Sequence, residues 1–153
     1  YLLRPYHRNI AKRIIKSPKL YFTDTGLLAY LLQYPTARTL LNGPMAGAFF
    51  ENLIVLEILK HKFNHNLRFD LYFYRDSNQN EIDLILDFGT RTVLLELKLA
   101  KTLRPEFVRT MRQQLAHFPR PSACLLSFAE EECRLSAAIH ARPWWQWPII
   151  LNS

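Results

Sequence analysis

The sequence predicts an α/β fold, a central mixed β-sheet flanked by helices on both faces. Strand-like stretches stand between helix-like ones: a helix, three strands, a second helix, then one or two further strands. "AGAFFENLIVLEILKHKF", from Ala46, is apolar almost all round, as expected of a helix buried in a core. "NEIDLILDFGTRTVLLELK", residues 80–98, alternates as two adjacent strands. The chain has 153 residues and is 49% hydrophobic, enough for one domain whose core needs no metal or disulfide.

From the N-terminus, residues 1–41 read as a basic connecting segment and residues 42–153 as the domain proper. "LRPYHRNIAKRIIKSPK" carries Arg4, His7, Arg8, Lys12, Arg13, Lys16 and Lys19 and no acid. Pro5 and Pro18 bracket a short helix, on which Arg8, Lys12 and Lys16 form one basic stripe. "KLYF" reads as a strand, and "TDTGLLAYLLQ" as a helix capped by Thr23 or Asp24. "YPTARTLLNGP" is a connection leading to the long apolar helix. "LRFDLYFYR" is an aromatic strand closed by the turn cluster "DSNQN". After the strand pair, "KTLRPEFVRTMRQQLAHF" turns helical near Arg104, with Pro105 in the first turn. "SACLLSF" is a short buried strand, "EEECRLSAAIHA" fits either state, and "RPWWQWPIIL" is an extended tail or last strand.

A net charge of +7 favours polyanionic partners, nucleic acid first. Cys124 and Cys133 are too few for a secreted disulfide scaffold, so reduced thiols and a cytoplasmic setting are expected. No apolar run reaches the roughly 18 residues of a membrane span, and no signal peptide opens the chain. It starts at Tyr1, so a fragment of a longer protein is expected.

The strand pair carries the chemistry. Ile82, Leu84, Leu86 and Phe88 fall on one face of the first strand; Glu81, Asp83, Ile85 and Asp87 fall on the other. In the second strand Val93, Leu95, Leu97 and Leu99 oppose Thr92, Leu94, Glu96 and Lys98. A two-residue Gly89-Thr90 loop suits a type II′ hairpin. Counting outward pairs Asp87 with Thr92, Ile85 with Leu94, Asp83 with Glu96 and Glu81 with Lys98. Asp83 and Glu96 then have β-carbons about 5 Å apart. Two carboxylates that close repel unless a cation joins them or one takes a proton. With Lys98 on the same face they make a cradle for a hard divalent ion such as Mg²⁺. The plainer reading is a solvated hairpin face with Glu81 and Lys98 as a cross-strand ion pair.

An acid on one strand followed by Glu-x-Lys on the next resembles the PD-(D/E)XK nuclease superfamily: here Asp83, then Glu96-Leu97-Lys98, with Ile82 where the family name has proline. A wider resemblance covers nearly the whole chain. "KSPKLYFTDTGLLAYLL", "GAFFENLIVLEILK", "LYFYRDSNQNEIDLIL" and "LLELK", in that order, look like the uncharacterised domain that follows the ATPase module in a large prokaryotic AAA+ family. That resemblance implies a restriction-endonuclease-like fold. It also implies a preceding P-loop ATPase that would bind ATP, and a winged-helix-like segment whose end is the basic stretch. No Walker sequence occurs in this chain, so any ATPase lies outside it.

The same resemblance implies metal-dependent nuclease chemistry. Asp83 and Glu96 would hold Mg²⁺ or Mn²⁺, with Glu51 reaching it directly or through water. Lys98 would orient or deprotonate the attacking water, or stabilise charge on the phosphorane. The implied reaction is DNA phosphodiester hydrolysis; the rival readings are a silent DNA- or protein-binding regulatory module and a homo-oligomerisation domain. Glu51 also reads as an acid suiting the helix dipole in an N-terminal turn. Arg75, Lys101 and Arg104 are candidates for holding a phosphate backbone. Gln113 and Gln114 read as surface residues, although some relatives use a glutamine on this helix. His61 and His65, at i, i+4, read as the end of a helix rather than a metal pair, and Trp144, Trp145 and Trp147 as packing rather than base-stacking residues.

Overall fold

The computed structural model describes residues 1–6 and 17–151. The expected basic helix with Arg8, Lys12 and Lys16 lies outside them. The described chain forms one mixed eight-stranded sheet with helices on both faces. In chain order the strands are β1 (Leu2–Pro5), β2 (Lys19–Leu20), β3 (Asp70–Arg75), β4 (Glu81–Asp87), β5 (Thr92–Lys98), β6 (Pro121–Ser127), β7 (Cys133–Ser136) and β8 (Ile139–Pro143). The helices are α1 (Thr25–Leu31), α2 (Ala37–Leu41), α3 (Ala46–Asn64), α4 (Arg109–Gln114) and α5 (Trp147–Leu151). The spatial order is β2-β1-β3-β4-β5-β6-β8-β7. β3, β4 and β5 are antiparallel neighbours, while β5, β6 and β8 run parallel and β1 lies parallel to β3.

α3 covers one face. Its Phe50, Ile54, Val55, Ile58 and Leu59 pack on Leu84, Leu86, Val93, Leu95 and Leu97 of the central strands. The opposite face is covered around α4, where Val108 and Met111 meet Ile82, Ile85, Leu94 and Leu125. The middles of β4 and β5, Leu84 to Leu86 and Val93 to Leu95, are therefore dry on both faces, while Glu81 and Lys98 at the strand ends are partly exposed.

Near its turn the β4–β5 hairpin adopts the expected register, Asp87 opposing Thr92 and Ile85 opposing Leu94, but the expected Asp83–Glu96 and Glu81–Lys98 pairs are not part of the ladder. Gly89 takes the positive φ, +82°, that the tight turn requires. One face assignment changes. Tyr72 and Tyr74 of β3 face Ile85 and Ile82 of β4, so β4 carries one residue more than its partner. This bulge moves Ile82 to the Ile85 side of the sheet, away from Leu84 and Leu86. The β4–β5 ladder ends at Leu84–Leu95, just before Asp83.

Local signals account for the smaller elements. Asp24, not Thr23, caps α1, its carboxylate accepting from Leu27 N–H at 2.9 Å. The connection before α3 contains α2, started by a Thr36–Thr39 capping box. "CRLS" and "IHARP" become the β7–β8 hairpin. The tryptophan tail is not extended: after β8 it turns through Trp144–Gln146 into α5, and Trp147 enters the core beneath α3.

Candidate active site

Lys98 Nζ lies 2.7 Å from Glu96 Oε1 and 3.9 Å from Asp83 Oδ2. Asp83 is only 8% exposed and Glu96 6%, so the solvated-hairpin reading does not hold. The bulge explains how Asp83 comes to be there. Where the ladder stops, its Oδ2 takes the place of a main-chain acceptor and receives Leu97 N–H at 2.8 Å. One carboxylate thus closes the splayed end of the hairpin and faces the Lys98 ammonium.

These three side chains and Glu51 line one cleft of about 610 Å³ between α3, β2 and the ends of β3, β4 and β5. Glu51 is not in the first turn of α3, which holds no acid, so the dipole reading fails for it. Its Oε1 accepts from the Tyr21 hydroxyl and from Lys19 Nζ, the latter at 2.8 Å. Lys19 also pairs with Glu81, and Arg75 Nε donates to Glu81 at 2.8 Å. The expected Glu81–Lys98 pair is replaced by this network, because Arg75 of β3 sits directly opposite Glu81. Arg75 therefore joins the site. Lys101 and Arg104 are exposed and do not line the cleft.

The charges set the protonation states. The cleft's ionisable side chains are Glu51, Glu81, Asp83 and Glu96 against Lys19, Arg75 and Lys98, one acid more than bases. Burial, then the charge of Glu51, raises the Asp83 pKa. Burial, then the charge of Asp83, raises that of Glu96. Glu81 is held below its usual range: burial opposes its charge, but Arg75 and Lys19 outweigh burial. The pKa values of Lys98 and Lys19 are raised despite burial, because each faces two carboxylates, so both stay cationic at neutral pH. Burial and Glu51 keep the Tyr21 hydroxyl protonated as a donor.

Two buried carboxylates with raised proton affinity, in a cleft short of one positive charge, have the chemistry of a hard-cation site. Mg²⁺ is commonly held by one or two carboxylates with water and phosphate completing its shell, and Asp83 with Glu96 fits that donor set. Among the described residues no group of three His, Cys, Asp or Glu side chains is close enough to share one ion, and Glu51 is already bonded to Lys19 and Tyr21.

Lys19 and Tyr21 were not legible as site residues, since "KLYF" shows only a basic and an aromatic residue far upstream. Gln114 is buried rather than on the surface, because α4 turns Met111 and Gln114 onto the sheet, but it does not line the cleft. Gln113 is exposed. The His61 and His65 rings stack at 4.1 Å at the end of α3. Among the described residues no helix is long and apolar enough to cross a membrane.

An α/β domain with an acid–lysine cleft at one end of its sheet is the class that fold and site define. The chain belongs to the family described as a domain of unknown function, DUF4143, which matches residues 46–147. A second domain of unknown function, DUF8612, matches residues 1–38. The chain is similar to an uncharacterised protein of Mycobacterium bovis and one of Mycobacterium tuberculosis. It is 33% identical to each over 141 residues, covering 92% of this chain and 31% of the relative. The chain thus spans less than a third of the length of these curated relatives. No solved structure matches.

Proposed function

We propose that this chain is a restriction-endonuclease-like domain that hydrolyses DNA phosphodiester bonds with Mg²⁺ or Mn²⁺, carried C-terminally by an AAA+ ATPase. The observation that carries the proposal is the convergence of buried Asp83 and Glu96 on Lys98 in a cleft lined by one more acid than bases. A divalent ion on Asp83 and Glu96, displacing the proton this pair holds at neutral pH, would give the cleft a net positive charge, which attracts a phosphate. When bound, such an ion lowers the pKa of water and neutralises charge on the phosphate. Lys98, held cationic by its two carboxylates, is placed for charge stabilisation rather than proton abstraction. Arg75 and Lys19 line the same cleft and offer further phosphate contacts. The greater length of the mycobacterial relatives leaves room for an ATPase module.

A domain that binds DNA or protein without cutting is the second reading. It is favoured by the engagement of Glu51 with Lys19 and Tyr21, which leaves two carboxylates rather than three for an ion. The deciding experiment is Mg²⁺- or Mn²⁺-dependent cleavage of DNA by wild type, Asp83→Ala and Lys98→Ala. Cleavage lost by at least a hundredfold in both variants, with Mn²⁺ affinity lost in Asp83→Ala, is the expected outcome. Cleavage that survives both substitutions would exclude this site.

A further inference from the structure

The charged residues make up only part of the cleft. Much of the rest is carbon, an apolar wall made by Leu20, Phe22, Leu28, Leu32 and Met45. Leu20 is 67% exposed, so this wall faces solvent rather than a core. From Thr25 to Phe50 the sequence carries one charged residue, Arg38, which is not in the cleft.

Phe22 is anchored in this wall through its main chain. Phe22 N–H donates to Asn52 Oδ1 at 2.9 Å, and Asn52 Nδ2 donates to the Phe22 carbonyl at 2.9 Å. Asn52, 4% exposed on α3, thereby pairs with the main chain of Phe22 much as a neighbouring strand would. Tyr21 meanwhile turns its hydroxyl to Glu51. Two consecutive residues thus serve the two sides of the cleft, one its charges and one its apolar wall.

A duplex offers phosphates and groove edges to a protein while its base faces are stacked away. An uncharged carbon wall gains nothing from a phosphate. An unpaired base exposes a flat face that stacks on aromatic and apolar side chains while cationic groups follow the backbone. Here Lys19, Arg75 and Lys98 provide the cations in the same cleft as Phe22 and Leu32. A volume of about 610 Å³ is in the range of small-ligand sites. We infer that the cleft takes an unpaired nucleotide, from a single strand or an opened end, with its base on the Phe22–Leu32 wall and its phosphate towards Asp83, Glu96 and Lys98. This deepens the hydrolase reading and rests on it for the position of the phosphate.

The test measures strand preference separately from cleavage. The full chain is titrated with Ca²⁺ in place of Mg²⁺, so that the carboxylates carry a hard cation, against a fluorescein-labelled 15-nucleotide single strand and the blunt duplex of the same sequence, read by anisotropy. Wild type should bind the single strand at least tenfold more tightly. Phe22→Ala and Leu32→Ser should each weaken the single strand about tenfold and the duplex less than twofold, with melting curves showing that both variants fold. Tyr30→Ala serves as the control: Tyr30 is 78% exposed on α1 and outside the cleft, so its loss should change neither affinity. Equal affinity for duplex, no binding of either form, or an equal loss in Tyr30→Ala would overturn the inference. So would single-strand affinity unchanged in both wall variants, which would point to a protein on this wall. Parallel Mg²⁺ cleavage separates the two readings. Duplex cut as fast as single strand removes this inference and keeps the hydrolase. Wall-dependent single-strand binding with no cleavage keeps the inference and removes the hydrolase.

Discussion

Replacing Glu96 by Gln should make the metal-free protein more stable at alkaline pH and change little at acid pH. Glu96 is buried beside Asp83, and burial followed by that neighbour's charge raises its pKa despite the 2.7 Å bond from Lys98. A carboxyl whose folded pKa is raised binds more protons folded than unfolded. The resulting stability is present below the ordinary carboxylate range and is lost as pH rises through the folded pKa. For this pair the window runs from about pH 4 to about pH 8. Each tenfold change in proton affinity is worth about 1.4 kcal/mol. Asp83 and Glu96 share that window, so removing one of the two charges should recover roughly half of it, about 3 kcal/mol. Lys98 then donates to a neutral amide oxygen in place of a carboxylate, which costs about 1 kcal/mol. The balance is about 2 kcal/mol, or about 4–8 °C in Tm for a chain of this size. Thermal melts of wild type and Glu96→Gln in EDTA, from pH 5 to pH 8.5, provide the assay. The gain should appear at pH 8.5 and vanish near pH 5, where the wild-type carboxyl is already protonated. Mg²⁺ should raise the wild-type Tm at pH 8.5 and leave Glu96→Gln nearly unmoved. A variant less stable than wild type at pH 8.5, or a gain equal at both pH values, would refute the reasoning.

Two further outcomes follow from the same charges. Asp76, buried at the β3–β4 turn, accepts from the backbone N–H groups of Asn78 and Asn80 and from the Asn80 amide. Burial opposes its charge, but these bonds, led by Asn80's, outweigh it and hold its pKa below the usual range. Asp76→Ala should therefore cost about 3 kcal/mol at pH 7 in urea denaturation. That deficit should shrink as pH falls below about 4 and the wild-type carboxylate takes up its proton. Lys19→Met removes the cation shared by Glu51 and Glu81 and doubles the cleft's surplus acid. Mn²⁺ affinity by calorimetry should rise about tenfold, equivalent to about 1.4 kcal/mol, while stability falls; weaker Mn²⁺ binding would show that Lys19 supports the ion's site instead.

The hairpin was the most legible part of the molecule. Period-two alternation and a Gly-led loop are local signals, and they suffice for the Asp87–Thr92 and Ile85–Leu94 pairs. The bulge before Leu84 left no such trace, because it arises from how β3 meets β4, and the strand's own pattern is apolar on both sides of it. Asp83, Glu96 and Lys98 could be brought together by counting along two neighbouring strands. Lys19 and Tyr21 could not, since they reach the cleft through the pairing of β1 beside β3, a contact between segments about 70 residues apart. The tryptophan tail failed for a related reason: two prolines argue for extended chain, yet Pro148 sits in the first turn of α5, where its missing N–H is tolerated.

The stretch that defines the family, residues 46–147, begins after Lys19, Tyr21 and Phe22. Kinship drawn from that stretch alone captures Asp83, Glu96 and Lys98 but leaves behind Lys19, the counter-charge to Glu51, and Phe22, whose main chain Asn52 holds. A gene rearrangement joining residues 46–147 to a new upstream neighbour would carry the acidic cluster intact and strip it of both. The descendant would keep the family's signature with an unshielded, more acidic cavity, and its ligand would be decided by whatever segment came to rest beside α3.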